Sequence, residues 1–79
     1  MLRYVVSRRG GFYDVVGAEP VERVVAMAIC QYEGASELYL FGCNARWEVV
    51  ADTDCASVED GLQMAAQGAN GEALIWIVA

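Results

Sequence analysis

Read for apolar and polar positions, the chain breaks into short runs of strand length, with one stretch of helical spacing near its C-terminal end. Residues 2–7 read as a strand, and "RRGG" at 8–11 as a turn whose glycines permit positive φ. "FYDVV" reads as a second short strand. From Val21 to Tyr32 two patterns compete. Val21, Val24, Val25, Ala28, Ile29 and Tyr32 fit a helical stripe, with Pro20 at the first helical position. Yet the run from Val24 to Cys30 is apolar without a break and rich in β-branched residues. A short "EGAS" loop and an evident strand follow it, as in the first arm of a hairpin buried on both faces. The strand is the expectation, and a helix over Pro20–Glu33 the alternative.

"ELYLFGC" and "RWEVVAD" predict a hairpin closed by a two-residue "NA" turn. In that register Gly42 lies opposite Trp47, Leu40 opposite Val49 and Leu38 opposite Ala51. Trp47 then covers the hole beside Gly42, a cross-strand aromatic rescue. The other face carries Tyr39, Phe41, Val50, Glu48 and Arg46. Beyond it, Ser57 and Asp60 form an S-x-x-D capping box, each side chain accepting from the other residue's N–H. Glu59 adds negative charge at the positive end of the helix dipole. Val58, Leu62, Ala65, Ala66 and Ala69 make a narrow stripe of mostly small residues, suited to close packing on a sheet. Gly61 within this helix costs about 1 kcal/mol relative to alanine. Gly68 is the expected C-cap, and "GANG" leads to a final buried strand, Ala73–Val78. The expectation is an α+β fold in a single domain, residues 1–79: an antiparallel sheet of about four to five strands with one helix (57–68) on one face.

Composition adds a constraint. The chain is 57% hydrophobic over only 79 residues, whereas a domain this small buries only about 60–65% of its unfolded surface. Apolar side chains must occupy both faces of the sheet, and a second subunit is a natural cover for the excess. Eleven acids against five basic residues, all arginine, leave a net charge of −6. Such a chain repels phosphate backbones, so no nucleic-acid partner is expected. "ALIWIVA" is far short of the roughly 20 residues of a membrane span, and the N-terminal apolar stretch is too short for a secretory signal. Cys30, Cys43 and Cys55 match no zinc spacing, and an odd number cannot all pair within one chain. A reducing cytoplasm, with no membrane contact, is the expected setting.

The richest candidate for chemistry is "WEVVADTDCAS", residues 47–57. Its Asp-x-Asp after an apolar run is reminiscent of haloacid dehalogenase phosphatases, but the chain has no lysine for the phosphate and too few residues for the Rossmann-like sheet. As a calcium loop from Asp52 it fails where Ala56, Ser57 and Gln63 stand in ligand or glycine positions. No histidine is present, so transition-metal sites and histidine-activated nucleophiles lose their usual partner. The plain reading is a strand ending at Asp52, a turn "TDCA", and a helix capped by Ser57. No catalytic, cofactor or metal site is expected, and an enzyme is the lesser reading.

The run from Gln31 to Gln67 resembles a group of small bacterial proteins, some similar to mobile gene-cassette products. Their pattern matches here at Tyr39, Leu40, Phe41, Cys43, Trp47, Val49, Asp52, Thr53, Ser57, Glu59, Asp60 and Trp76. Such relatives carry an aromatic residue and a histidine after Asp-Thr, where this chain has Asp54 and Cys55, and alanine in place of Gly61. The resemblance implies the order strand, strand, helix, strand, and brings no activity. The expected function is a small acidic, non-catalytic interaction protein that forms a homodimer and binds a protein with a basic surface, as immunity proteins and antitoxins do. Tyr39, Phe41, Glu48 and Val50 are the interface candidates. The alternative is a small-ligand-binding module with an aromatic pocket at the dimer interface.

Overall fold

A computed structural model describes residues 1–15 and 22–79. Val16, at the end of "FYDVV", and Pro20 and Val21, the start of the alternative helix, lie outside the described residues. The elements are β1 (Arg3–Val6), β2 (Tyr13–Val15), β3 (Glu22–Val24), β4 (Ala26–Gln31), β5 (Leu38–Cys43), β6 (Val49–Cys55), α1 (Val58–Gly68) and β7 (Ile77–Val78). Five of the strands form an antiparallel sheet in the order β6-β5-β4-β1-β7, and β2 pairs with β3 in a separate hairpin. The fold is α+β, as expected.

From Glu22 onward the ambiguous stretch is strand. Ala26, Met27, Ala28 and Ile29 are buried in succession, which a helix with a single apolar stripe cannot achieve. Val25 is the corner at which the chain leaves the small hairpin for the main sheet. Its N–H donates to the Cys43 carbonyl at 2.9 Å and its carbonyl accepts from Ser7 N at 2.8 Å.

Strand alternation divides the main sheet into two unlike faces. The inner face carries Val5, Met27 and Gly42 in one cross-strand row, and Arg3, Ile29, Leu40 and Thr53 in the next. Both the helix and the β2–β3 hairpin pack on this side. Phe12 and Val24 from the hairpin and Ala65 and Ala69 from the helix join Val5, Met27, Ile29 and Leu40 in one core. Two glycines set how closely the layers approach. A Cβ on Gly61 would stand 3.0 Å from Ile29 Cδ1 and 3.2 Å from Cys55 Sγ. A Cβ on Gly42 would stand 2.6 Å from the Tyr13 hydroxyl and 3.2 Å from both Val24 methyls. The space beside Gly42 is therefore filled by Tyr13 and Val24, and not by Trp47 as the sequence predicted.

The hairpin register differs accordingly. Gly42 pairs with Ala51, Leu40 with Thr53 and Leu38 with Cys55, and an extra residue, Val50, is accommodated where Cys43 pairs with Val49. The connection is longer than two residues because Asn44 organises it. Asn44 Oδ1 accepts from both Arg46 N and Glu48 N at 3.0 Å, and Trp47 N donates to Asn44 O at 3.0 Å. Trp47 occupies the left-handed position at φ 62°. This is a three-residue loop whose left-handed position usually holds glycine. Strand β6 accordingly continues to Cys55 instead of ending at Asp52.

The helix begins at its expected cap. Ser57 Oγ accepts from Asp60 N at 3.1 Å, but Asp60 Oδ2 accepts from Ala56 N at 2.9 Å, one residue before the partner a reciprocal box requires. Gly68 is the last helical residue, packed against the Tyr13 ring, and Ala69 is the C-cap. Of the predicted last strand only Ile77 and Val78 pair, with β1, and both are exposed rather than buried. Leu74 and Trp76, just before them, pack on the core. Glu72 ties this segment to the first turn: its carboxylate accepts from Ser7 Oγ and Arg8 N, each at 2.8 Å. The Arg8 backbone N–H, with the Ser7 hydroxyl and the Arg9 charge, holds the Glu72 carboxyl below its ordinary value.

Two outcomes follow from this packing. Gly42→Ala should destabilise the chain by about 1–3 kcal/mol in urea denaturation, the usual cost of overpacking. Tyr13→Phe in the same chain should restore part of that loss, whereas no coupling between the two positions would place the Gly42 contact elsewhere. Because the folded-state pKa of Glu72 is lowered, its contribution is present above about pH 4.5 and lost as pH falls through the folded value. The stability gap between the parent and Glu72→Gln should therefore narrow below that pH, and a gap constant from pH 7 to 3 would contradict the contact.

Candidate functional site

On the outer face of the main sheet, Ile77, Tyr4, Ala28, Phe41 and Asp52 stand side by side across the five strands. Val6, Ala26, Cys43 and Val49 form the row on one side of them, and Cys30, Tyr39 and Asp54 the row on the other. Small residues occupy the centre, and Ala26, Ala28 and Cys43 are buried beneath their larger neighbours. The rings are mutually ordered. Tyr39 and Phe41 stack with centroids 5.9 Å apart, Tyr32 meets Tyr39 edge-on at 5.6 Å, and Trp47 meets Tyr4 edge-on at 5.9 Å. Yet Val6, Tyr32, Trp47, Val49 and Ile77 each remain at least 45% exposed. Among the described residues, no helix or second sheet lies over this side.

Of the interface candidates, Tyr39 and Phe41 lie at the heart of this face. Val50 does not: the irregularity in β6 turns it toward the core, where it packs against the buried cluster. Glu48 sits in the loop, its Oε1 accepting from Asn44 Nδ2 at 2.9 Å and facing Arg46 Nε at 3.8 Å. Trp47 and Val49, predicted for the inner face, belong to the outer one. Tyr4, Val6 and Ile77 were not singled out by the sequence, because their membership depends on β1 being sandwiched between β4 and β7.

The backbone at Trp47 is informative. A bulky residue in the left-handed region is an outlier, of a kind that costs about 1–3 kcal/mol and clusters at functional positions. Here the strained conformation directs the indole onto the outer face beside Tyr4. A shallow recess of about 250 Å³ opens there between Met1, Tyr4 and Trp47. A larger cleft of about 420 Å³ lies beside the β2–β3 hairpin, bordered by Arg9, Arg23 and Asn70. Its Arg23 head lies 3.7 Å from Asp14.

The residues of "ADTDC" diverge. Asp52 and Asp54 point to the outer face, whereas Cys55 turns inward against the helix. Among the described residues, no group of three Cys, Asp or Glu side chains is arranged to hold a metal ion. Burial raises the Cys43 thiol, with the Cys30 charge adding to it. Burial also raises Cys55, helped by Asp60 and Asp54. Both therefore stay protonated thiols at neutral pH, the unreactive form. The Tyr39 hydroxyl donates to Glu37 Oε2 at 2.8 Å, which raises its pKa further above neutrality. No helix among the described residues is long and apolar enough to cross a membrane. No protein-family model, curated protein or solved structure matches the chain.

Trp47→Gly tests whether the indole belongs to the core or to the face. Glycine relieves the left-handed strain while losing an edge contact of about 0.5–1.5 kcal/mol. Stability in urea at low protein concentration should change by less than about 1 kcal/mol. A loss of about 3–5 kcal/mol, typical of a core aromatic, would return Trp47 to the core.

Proposed function

We propose that this chain is a small acidic, non-catalytic interaction protein of the reducing cytoplasm, which forms a homodimer through the outer face of its sheet and binds a further protein. The observation that carries the reading is the ordered, uncovered array of Tyr4, Tyr39, Phe41, Trp47, Val49 and Ile77. An apolar patch of this extent on a small domain marks a contact surface. Among the described residues, the helix and the hairpin are the elements that cover the sheet, and both pack on its inner side.

Strands about 4.8 Å apart and about 3.3 Å per residue give the face, whose strands run for four, six, six, seven and two residues, a flat area of roughly 400 Å². Two copies would together bury roughly 800 Å² of flat sheet, to which the relief of the rings and the flanking Tyr32 and Trp47 add, toward the roughly 1,000 Å² at which specific interfaces begin. A two-fold axis lets the same patch serve both copies. Asp52 and Asp54, on the edge strand, then fall at the rim and stay hydrated, as charges at interfaces do. Free thiols at Cys30, Cys43 and Cys55 suit a reducing compartment. The recess between Met1, Tyr4 and Trp47 supports a second reading, a small-ligand site lined by aromatic rings where two copies meet. A metabolite that raises the melting temperature of the parent but not of Trp47→Gly would favour that reading.

Sedimentation equilibrium at micromolar concentration tests the main one. The expected result is twice the 8.6 kDa chain mass, reverting to the single mass on Phe41→Glu, which forces a charge into the contact. An 8.6 kDa species for the parent would overturn the dimer.

A further inference from the structure

We propose that the open edge of β6 accepts an extended, basic segment of a partner protein as an additional strand, which names the partner chemistry of the interaction protein proposed above and rests on that reading. The two edges of the main sheet differ. The β7 edge has only two paired residues and offers almost no template. The β6 edge runs for seven residues, Val49–Cys55, and among the described residues pairs with β5 alone. Its other side presents a row of backbone N–H and C=O groups without a strand partner among the described residues. Such a row binds extended chains by completing the ladder, while alternate side chains supply selectivity.

The side chains on this edge state what kind of strand fits. Asp52 and Asp54 project from one side of β6, and Thr53 between them projects from the other. All three are exposed. Neither aspartate has a cationic partner among the described residues, since the ion pairs there join Arg23 to Asp14 and Arg46 to Glu48. A second copy of the chain does not fit. Antiparallel pairing of β6 with itself about Thr53 would set Asp52 directly against Asp54 of the other copy, and like charges directly opposite destabilise a ladder. A segment with arginine or lysine at two alternate positions instead meets both carboxylates across the strands, with a β-branched residue between them opposite Thr53. The net charge of −6 steers such a segment toward the protein. The aspartates thus bar self-association at this edge and admit a cationic strand.

The test uses the full chain, isotope-labelled, titrated with a blocked heptapeptide carrying arginine at its third and fifth positions and valine or threonine elsewhere. The expected result is saturable binding that weakens with salt, with amide shifts concentrated in Ala51–Cys55. Affinity should fall by about tenfold or more in Asp52→Asn/Asp54→Asn. The same peptide N-methylated at the alternate amides that face β6 should not bind, because it cannot complete the ladder, whereas methylation of the set facing away should be tolerated. Glutamate in place of arginine should also abolish binding. Both aspartates are exposed, so the double variant should keep the parent's melting temperature, which is measured alongside. No saturation at millimolar peptide would overturn the proposal. So would equal binding of the peptide N-methylated at the amides that face β6, equal binding by the double variant, or shifts mapping away from β6. The mass of the chain without peptide reports the dimer separately, so a monomer that binds the peptide would defeat the outer-face reading alone, and a dimer that ignores it would defeat the edge alone.

Discussion

The close approach of the helix and the small hairpin to one side of the sheet decides the rest of the structure. Gly42 lets Tyr13 and Val24 settle directly on β5, and Gly61 brings α1 down onto Ile29 and Cys55. Side chains at either position would lift a covering layer away from the sheet and open voids in a core that has few residues to spare. The same economy spends both covering elements on one face. The opposite face keeps its aromatic and aliphatic side chains, because the strands that carry them alternate and must put every second residue there.

The strand content of the chain, the extent of the helix and its N-cap were legible because each rests on local chemistry. An unbroken apolar run bounded by turn residues, and a serine three residues before an acid, carry their meaning wherever the chain goes. Tyr39 and Phe41 were legible as a pair by alternation alone. Register was not. The predicted Asn-Ala turn treated Asn44 as a residue tolerant of the left-handed region, whereas its side chain binds two backbone N–H groups ahead of it and hands the left-handed position to Trp47. That change slides β6 along β5, moves Trp47 and Val49 to the outer face, and returns Val50 to the core. The contribution of β1 and β7 to the face was not legible either, since it arises from pairing between opposite ends of the chain.

Two features of the hairpin make more sense as function than as stability. Trp47 holds a strained backbone conformation that glycine would adopt freely, and the strain directs an indole toward solvent beside Tyr4. Asp52 and Asp54 sit one residue apart on a long edge strand, where charge discourages pairing between identical copies. One feature favours association across the face, and the other limits association along the edge. Together they suit the proposed dimer, in which copies meet across the face and not along the edge.

In the proposed dimer a second copy covers the outer face. An isotope-filtered nuclear Overhauser measurement on a mixture of labelled and unlabelled chains reads it most directly, because only contacts between copies survive the filter. The expected result is cross-peaks from the rings of Tyr4, Phe41 and Trp47 to the same set of residues in the other copy. Intermolecular contacts confined to the helix or the β2–β3 hairpin, or none at concentrations where the chain sediments as a dimer, would contradict it.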